Sequence, residues 1–170
     1  MTSTAANPAR SAAQPPRQKA PINEARAAQL RAANINPRTG LATDYLNHFN
    51  EAVMLLEMVP DMPECADDFL DWRPLSYGEH FHASNFKARD LAIEAYESAD
   101  TVIRTEFDNI TSAMTSILTA VSTAMREAKQ DKTRARLAEQ AIVWVKPLVM
   151  LAGGVINGGS EADVDYIMTH

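Results

Sequence analysis

Asp44, His48 and Glu51 stand at i, i+4 and i+7, and Glu79 and His82 form a Glu-x-x-His pair. On a helix, residues three or four apart share a face, and di-iron carboxylate bundles use that spacing to project ligands inward. Two imidazoles and three carboxylates are a sufficient donor set for a first-row metal. The faces argue against that use here. Glu79 and His82 fall opposite Tyr77 and Phe81, while Asp44 and Glu51 point away from the apolar stripe that His48 borders. No second Glu-x-x-His is present. His48, Glu51, Glu79 and His82 are therefore expected to be polar helix-surface residues, with no metal and no other cofactor.

Other chemistries find less support. Cys65 is the only cysteine, so it has no disulfide partner in the chain, and its neighbours Glu64, Asp67 and Asp68 disfavour a thiolate. Serines and threonines are many, yet none sits in a Gly-x-Ser-x-Gly elbow. There is no phosphate-cradling glycine loop and no dinucleotide fingerprint. The run Asp61, Glu64, Asp67, Asp68, Asp71 lacks calcium-loop spacing and is expected to be a solvated face. These residues give no support to an enzymatic role.

The elements that position these groups are helical. From Glu79 to Lys146 there is no Gly or Pro, and Ile103, Phe107, Ile110, Met114, Ile117, Val121 and Met125 recur at steps of three and four. That stripe is expected to form a core seam or a self-association face. Ser76 with Glu79 is a capping-box pair, placing the start of a spine helix at Tyr77. The spine is expected to run to about Ala128, reverse between Lys129 and Thr133, and return from Asp131 to about Leu151, where Gly153-Gly154 ends it. Seven of the thirteen residues from Thr111 to Thr123 are Ser or Thr, which predicts close packing on more than one side. Before the spine, Thr43 caps a helix that ends before Pro60, and Glu64 to Trp72 forms a short one.

The fold class is accordingly all-α: a bundle of about four helices over 43–152, organised around one long central helix. Residues 1–38 are expected to be a disordered basic tail, with a short Ala-rich helix over 22–34. Residues 153–170 are expected to be a Gly-rich joint and a mobile C-terminal peptide. With 46% hydrophobic but only 6% aromatic residues, the core is predicted to be built from aliphatic side chains.

The net charge of −6 is segregated. Residues 1–43 carry six bases against Glu24 alone, while residues 44–125 carry fifteen acids against four bases. An acidic body is a poor nucleic-acid surface, since phosphate binding draws on Lys and Arg. The most apolar run, Ala141 to Ile156, holds Lys146 and Pro147 and is shorter than the roughly 20 residues a bilayer span needs, so no transmembrane segment and a cytoplasmic location are expected.

Beyond the glycines, Ser160 to Met168 is an acidic segment in which Val164, Ile167 and Met168 stand at i, i+3 and i+4. It resembles the peptides by which flagellar switch proteins and the chemotaxis phosphatase dock on a chemotaxis response regulator, and the order of helical hairpin, joint and peptide is similar to that phosphatase. The resemblance implies partner binding through Asp163, Val164, Ile167 and Met168. The phosphatase's Asp-x-x-x-Gln pair has no counterpart on the spine, and Glu106-x-x-Asn109 resembles the acid/amide pair of a phosphatase class with an α/β fold. The expected function is a non-enzymatic helical interaction or regulatory protein, docking an unidentified protein partner or a second copy of itself. The alternatives are a response-regulator phosphatase or other two-component regulator, a ferritin-like metal-binding bundle, and a granule- or lipid-surface coat protein.

Overall fold

Capping and apolar periodicity shape the helices seen over residues 24–159, the part of the chain that this computed structural model describes. They are α1 (Glu24–Ala32), α2 (Leu46–Met58), α3 (Cys65–Asp71), α4 (Tyr77–Ala83), α5 (Arg89–Glu97), α6 (Thr101–Glu127) and α7 (Asp131–Ile156), with a 3-10 turn over Thr43–Tyr45 leading into α2. Among the described residues the only β pairing is an isolated bridge between Ile35 and Ala42. The class is all-α; the described residues hold seven α-helices, six of them from α2 onward where a bundle of about four was expected.

The single spine helix is the main correction. From Tyr77 to Glu127 the chain forms α4, α5 and α6, although no Gly falls after residue 78 and no Pro interrupts it. Polar side chains make both breaks. Ser84 is extended at ψ 157, its hydroxyl donates to the Phe81 carbonyl and accepts from the Phe86 N–H. Asp100 caps α6 by accepting from the N–H groups of Val102 and Ile103. Short polar residues compete for backbone hydrogen bonds and so end helices without help from glycine or proline. At the start of α4 both halves of the Ser76–Glu79 capping box are formed.

Two long helices follow, and α6 and α7 pair as a hairpin. Their connection falls at Ala128–Gln130, where the Arg134 guanidinium donates to the carbonyls of Met125 and Ala128 and so satisfies the open end of α6. The return helix does not stop at Leu151. It continues through Gly153-Gly154 because Val155 and Ile156 are buried, and it ends at Gly158, which has φ +85. There Gly158 N–H bonds the Val155 carbonyl and Gly159 N–H bonds the Gly154 carbonyl, the paired bonds of a Schellman cap.

The α6 stripe lies inside the protein. Phe107, Ile110, Met114, Val121 and Met125 are buried together with Leu118, and Ile103 and Ile117 pack half-buried against the same core. The same cluster holds Ala138, Ala141, Val145 and Ala152 of α7 and Phe49, Ala52 and Leu56 of α2. Small residues on α7 leave room for the larger α6 side chains, which keeps the hairpin tight. The folded body also begins earlier than residue 43. Helix α1 buries Ala27 and Leu30, Ile35, Leu41 and Ala42 join the core, and the Thr39 hydroxyl donates to the Ile156 carbonyl at 2.7 Å. Residues 24–38 therefore belong to the bundle rather than to a tail. The remainder of the expected tail and the C-terminal peptide from 160 lie outside the described residues.

Candidate functional site

The residues with metal spacing are dispersed. His48 is buried, its Nε2 lies 2.8 Å from the Arg73 carbonyl, and its ring stacks on Trp72 at 4.6 Å. The Trp72 indole N–H returns a bond to the His48 carbonyl, so the pair staples α2 to the end of α3. His48 is thus a core residue and not a surface one, and burial holds its imidazole below the ordinary histidine range. Glu51 and His82 are exposed, and Glu79 serves as the α4 cap, with the Ser76 N–H holding its carboxyl below the usual range. Asp44 instead meets His80, with Oδ2 at 3.0 Å from Nε2. Among the described residues no three His, Cys, Asp or Glu side chains converge as a metal site would require. Cys65 is buried, and burial together with Glu64 and Asp68 pushes its thiol up. Asp163, Val164, Ile167 and Met168 lie outside the described residues.

What the chain does bring together is a cleft of about 600 Å³ between the Pro74–Ser76 connection, α4 and α6. Tyr45, Tyr77 and Tyr96 form its aromatic wall, and Asp108, Thr111, Ser112, Thr115 and Ser116 form the α6 side. The rings are held from behind. The Tyr45 hydroxyl donates to the Leu75 carbonyl at 2.7 Å, the Tyr77 oxygen accepts the Ala42 N–H, and Tyr77 stacks on Tyr96 at 4.3 Å. The Tyr96 hydroxyl reaches both Asp108 oxygens at 2.7 and 2.8 Å. All three phenols are pushed far above the ordinary tyrosine range, chiefly by burial, and Asp108 adds to the effect at Tyr45 and Tyr96. They stay protonated and act as hydrogen-bonding groups, not as bases.

Sequence reasoning passed over this cleft, although one signal was present. Thr111, Ser112, Thr115 and Ser116 recur at i, i+1, i+4 and i+5, which puts a band of hydroxyls along one side of α6. The band was expected to allow close helix packing. Instead Ser112 and Ser116 are exposed and line the cleft. The tyrosines come from separate segments, so their convergence had no local signature.

A second unusual surface is the outside of α7. From Ala141 to Ile156 the helix carries one charge, Lys146, and is apolar around its whole circumference. Its inner face is buried, but Val143, Trp144 and Met150 are 65%, 51% and 52% exposed. Val143, Lys146, Pro147 and Met150 lie at i, i+3, i+4 and i+7 and so form one strip. Beside it on α2, Met54, Glu57 and Met58 form another, with Met54 and Met58 56% and 38% exposed. The Lys146 Nζ to Glu57 Oε1 contact of 2.7 Å aligns the two strips. By length and composition alone α7 also meets the measure of a membrane-crossing helix, a measure that the core helix of a bundle can pass as well. No protein-family model, no curated protein and no solved structure matches the chain.

Proposed function

We propose that the protein is a non-enzymatic interaction protein that associates with a second copy of itself through the outer strip of α7 and the adjoining methionines of α2. The observation that carries this reading is the exposed apolar face of a helix whose other side is already committed to the core. Helices that are apolar all round are normally buried all round. The expected self-association stripe on α6 is spent within the chain, and α7 is the helix that still offers one.

Three features favour a second copy as the occupant. The charge on this half of α7 is already met by Glu57, so the strip presents no net charge by which to select a different partner. Across residues 44–125 the body carries fifteen acids against four bases, so two copies repel over most of their surface and the uncharged strip is the face on which they approach at least cost. A two-fold contact places the same strip on itself, apolar against apolar. From the exposures of its five large side chains the patch offers roughly 500 Å² per copy, or about 1,000 Å² in a pair, at the lower edge of a specific interface. The association is therefore reversible, in the micromolar range. A bilayer span would require pulling Ala138, Ala141, Val145 and Ala152 out of the core, and surface attachment to anionic lipid is opposed by the acidic body.

Sedimentation of the full chain over about 1–200 μM tests the proposal. The wild type should shift from monomer to dimer across this range, and the double variant Val143→Lys, Met150→Lys should remain monomeric with an unchanged thermal melt. A wild type that stays monomeric throughout, or a variant that dimerises as well as the wild type, overturns it. Co-flotation with phosphatidylcholine vesicles that the double variant abolishes, without dimerisation, would assign the strip to lipid instead.

A further inference from the structure

The proposed function leaves the tyrosine-walled cleft unused, and its lining is selective in charge. Asp108 and Glu79 are its charged side chains, and no Lys, Arg or His lines it. The nearby cation Arg104 lies outside it, on the Tyr96 ring at 5.8 Å, with its Nη1 donating to the Glu97 carbonyl. Asp108 receives the Tyr96 hydroxyl and Glu79 one backbone N–H, leaving each carboxylate with acceptor capacity to spare. Hydroxyl oxygens of Ser112, Thr115 and Ser116 add further acceptors.

From this geometry we infer that the cleft binds a small linear organic cation of the diamine or polyamine class. Carboxylates and hydroxyl acceptors both favour an ammonium group, and nothing in the lining would neutralise an anion. The α6 side extends from Asp108 to Ser116, about 12 Å at the helical rise, which is the length of an extended triamine rather than of a single ammonium. A cleft of about 600 Å³ lies within the size range of small-molecule sites. The tyrosine hydroxyls are tied to backbone or to Asp108, so the wall is formed before a ligand arrives.

A protein with net charge −6 also attracts polyamines loosely over its whole surface, so the test must separate the cleft from the general field. Calorimetric titration of the full chain with spermidine at about 150 mM salt should give saturable binding at one site per chain, with putrescine weaker. Asp108→Asn should weaken spermidine tenfold or more, whereas Asp71→Asn, which removes the same charge from exposed α3, should not. Ser116→Leu, at an exposed helix position, should block the cleft while the melt of the free protein is retained. Absence of saturable binding up to about 1 mM ligand overturns the inference. So does equal weakening by Asp108→Asn and Asp71→Asn, binding unaffected by Ser116→Leu, or binding of a neutral disaccharide in place of the amine.

Discussion

Replacing Phe107 by alanine distinguishes a core seam from an interface between chains. The ring is fully buried, and Tyr45 and Tyr77 stand against it with centroids 6.1 and 6.0 Å away. Both neighbours have their hydroxyls bonded to backbone, to the Leu75 carbonyl and the Ala42 N–H, so neither relaxes into the void without breaking a buried hydrogen bond. Phe→Ala substitutions in cores cost about 3–5 kcal/mol, and a wall that cannot collapse places this one near 4 kcal/mol. For a domain of this size that lowers Tm by about 8–16 °C. It lowers the urea midpoint by about 2 M if the slope is near 2 kcal/mol per M. The measurement is urea unfolding followed by circular dichroism at two protein concentrations a hundredfold apart. The loss should be the same at both, because every contact of the ring is made within the chain. A loss below about 1 kcal/mol, or one that vanishes on dilution, would show that the stripe packs between chains and refute the fold argument.

Gly40→Ala should destabilise by about 1–3 kcal/mol, since the residue has φ +74 and a Cβ would lie 2.7 Å from the Ala95 carbonyl oxygen; an unchanged urea midpoint would contradict that placement. Ser76→Ala removes the hydroxyl that accepts the Glu79 N–H while leaving the backbone N–H that donates to the Glu79 carboxylate, and it should cost about 1 kcal/mol, with hydrogen exchange of the Glu79 amide accelerated in step. His48 gives stability a pH dependence. Its folded-state pKa is depressed, so the unfolded chain takes up the proton first; the contribution is complete above the unfolded value of about 6.5 and is lost as pH falls through the folded value. Urea midpoints at pH 7.5 and 5.5 should therefore fall further for the wild type than for His48→Gln, and equal falls would assign the pH dependence to other groups.

The parts of the fold that were legible in sequence are those with local causes. The Ser76–Glu79 box, the α6 stripe and the reversal near Gln130 each depend on residues within one or two turns of each other. The failures have the opposite origin. The Gly- and Pro-free run after residue 78 predicts an unbroken spine, yet Ser84 and Asp100 break it through side-chain hydrogen bonds. Gly153-Gly154 predicts a stop, yet the burial of Val155 and Ile156 and the Thr39 bond to the Ile156 carbonyl carry the helix on to Ile156, more than a turn beyond Leu151. The burial of His48 and the His80–Asp44 contact had no local signal, because the partners, Arg73 and Asp44, are remote in sequence. The cleft depends on Tyr45, Tyr77 and Tyr96 arriving from three segments, and no spacing rule anticipates that.

The small aromatic content takes on meaning once the rings are placed. Tyr45, Phe49, Trp72, Tyr77, Phe81, Phe86, Tyr96 and Phe107, with His48 and His80, form one continuous network of ring contacts around α4. One end of the bundle is thus stiffened by stacked and edge-on rings, and this is the end that carries the cleft. The α6–α7 hairpin beyond it is packed from alanines, valines and methionines, as a ring-poor composition predicts. Trp144 belongs to neither region. It stands 51% exposed on the outside of α7, whereas the other large rings among the described residues are buried or partly buried. Covering its free half against a second copy would recover about 2–3 kcal/mol at about 25 cal/mol per Å². That is a substantial share of a micromolar association, whose total is about 8 kcal/mol, and it makes Trp144 the side chain with most to gain from pairing. A Trp144→Ala variant that dimerised as tightly as the wild type would therefore place the contact elsewhere on the surface.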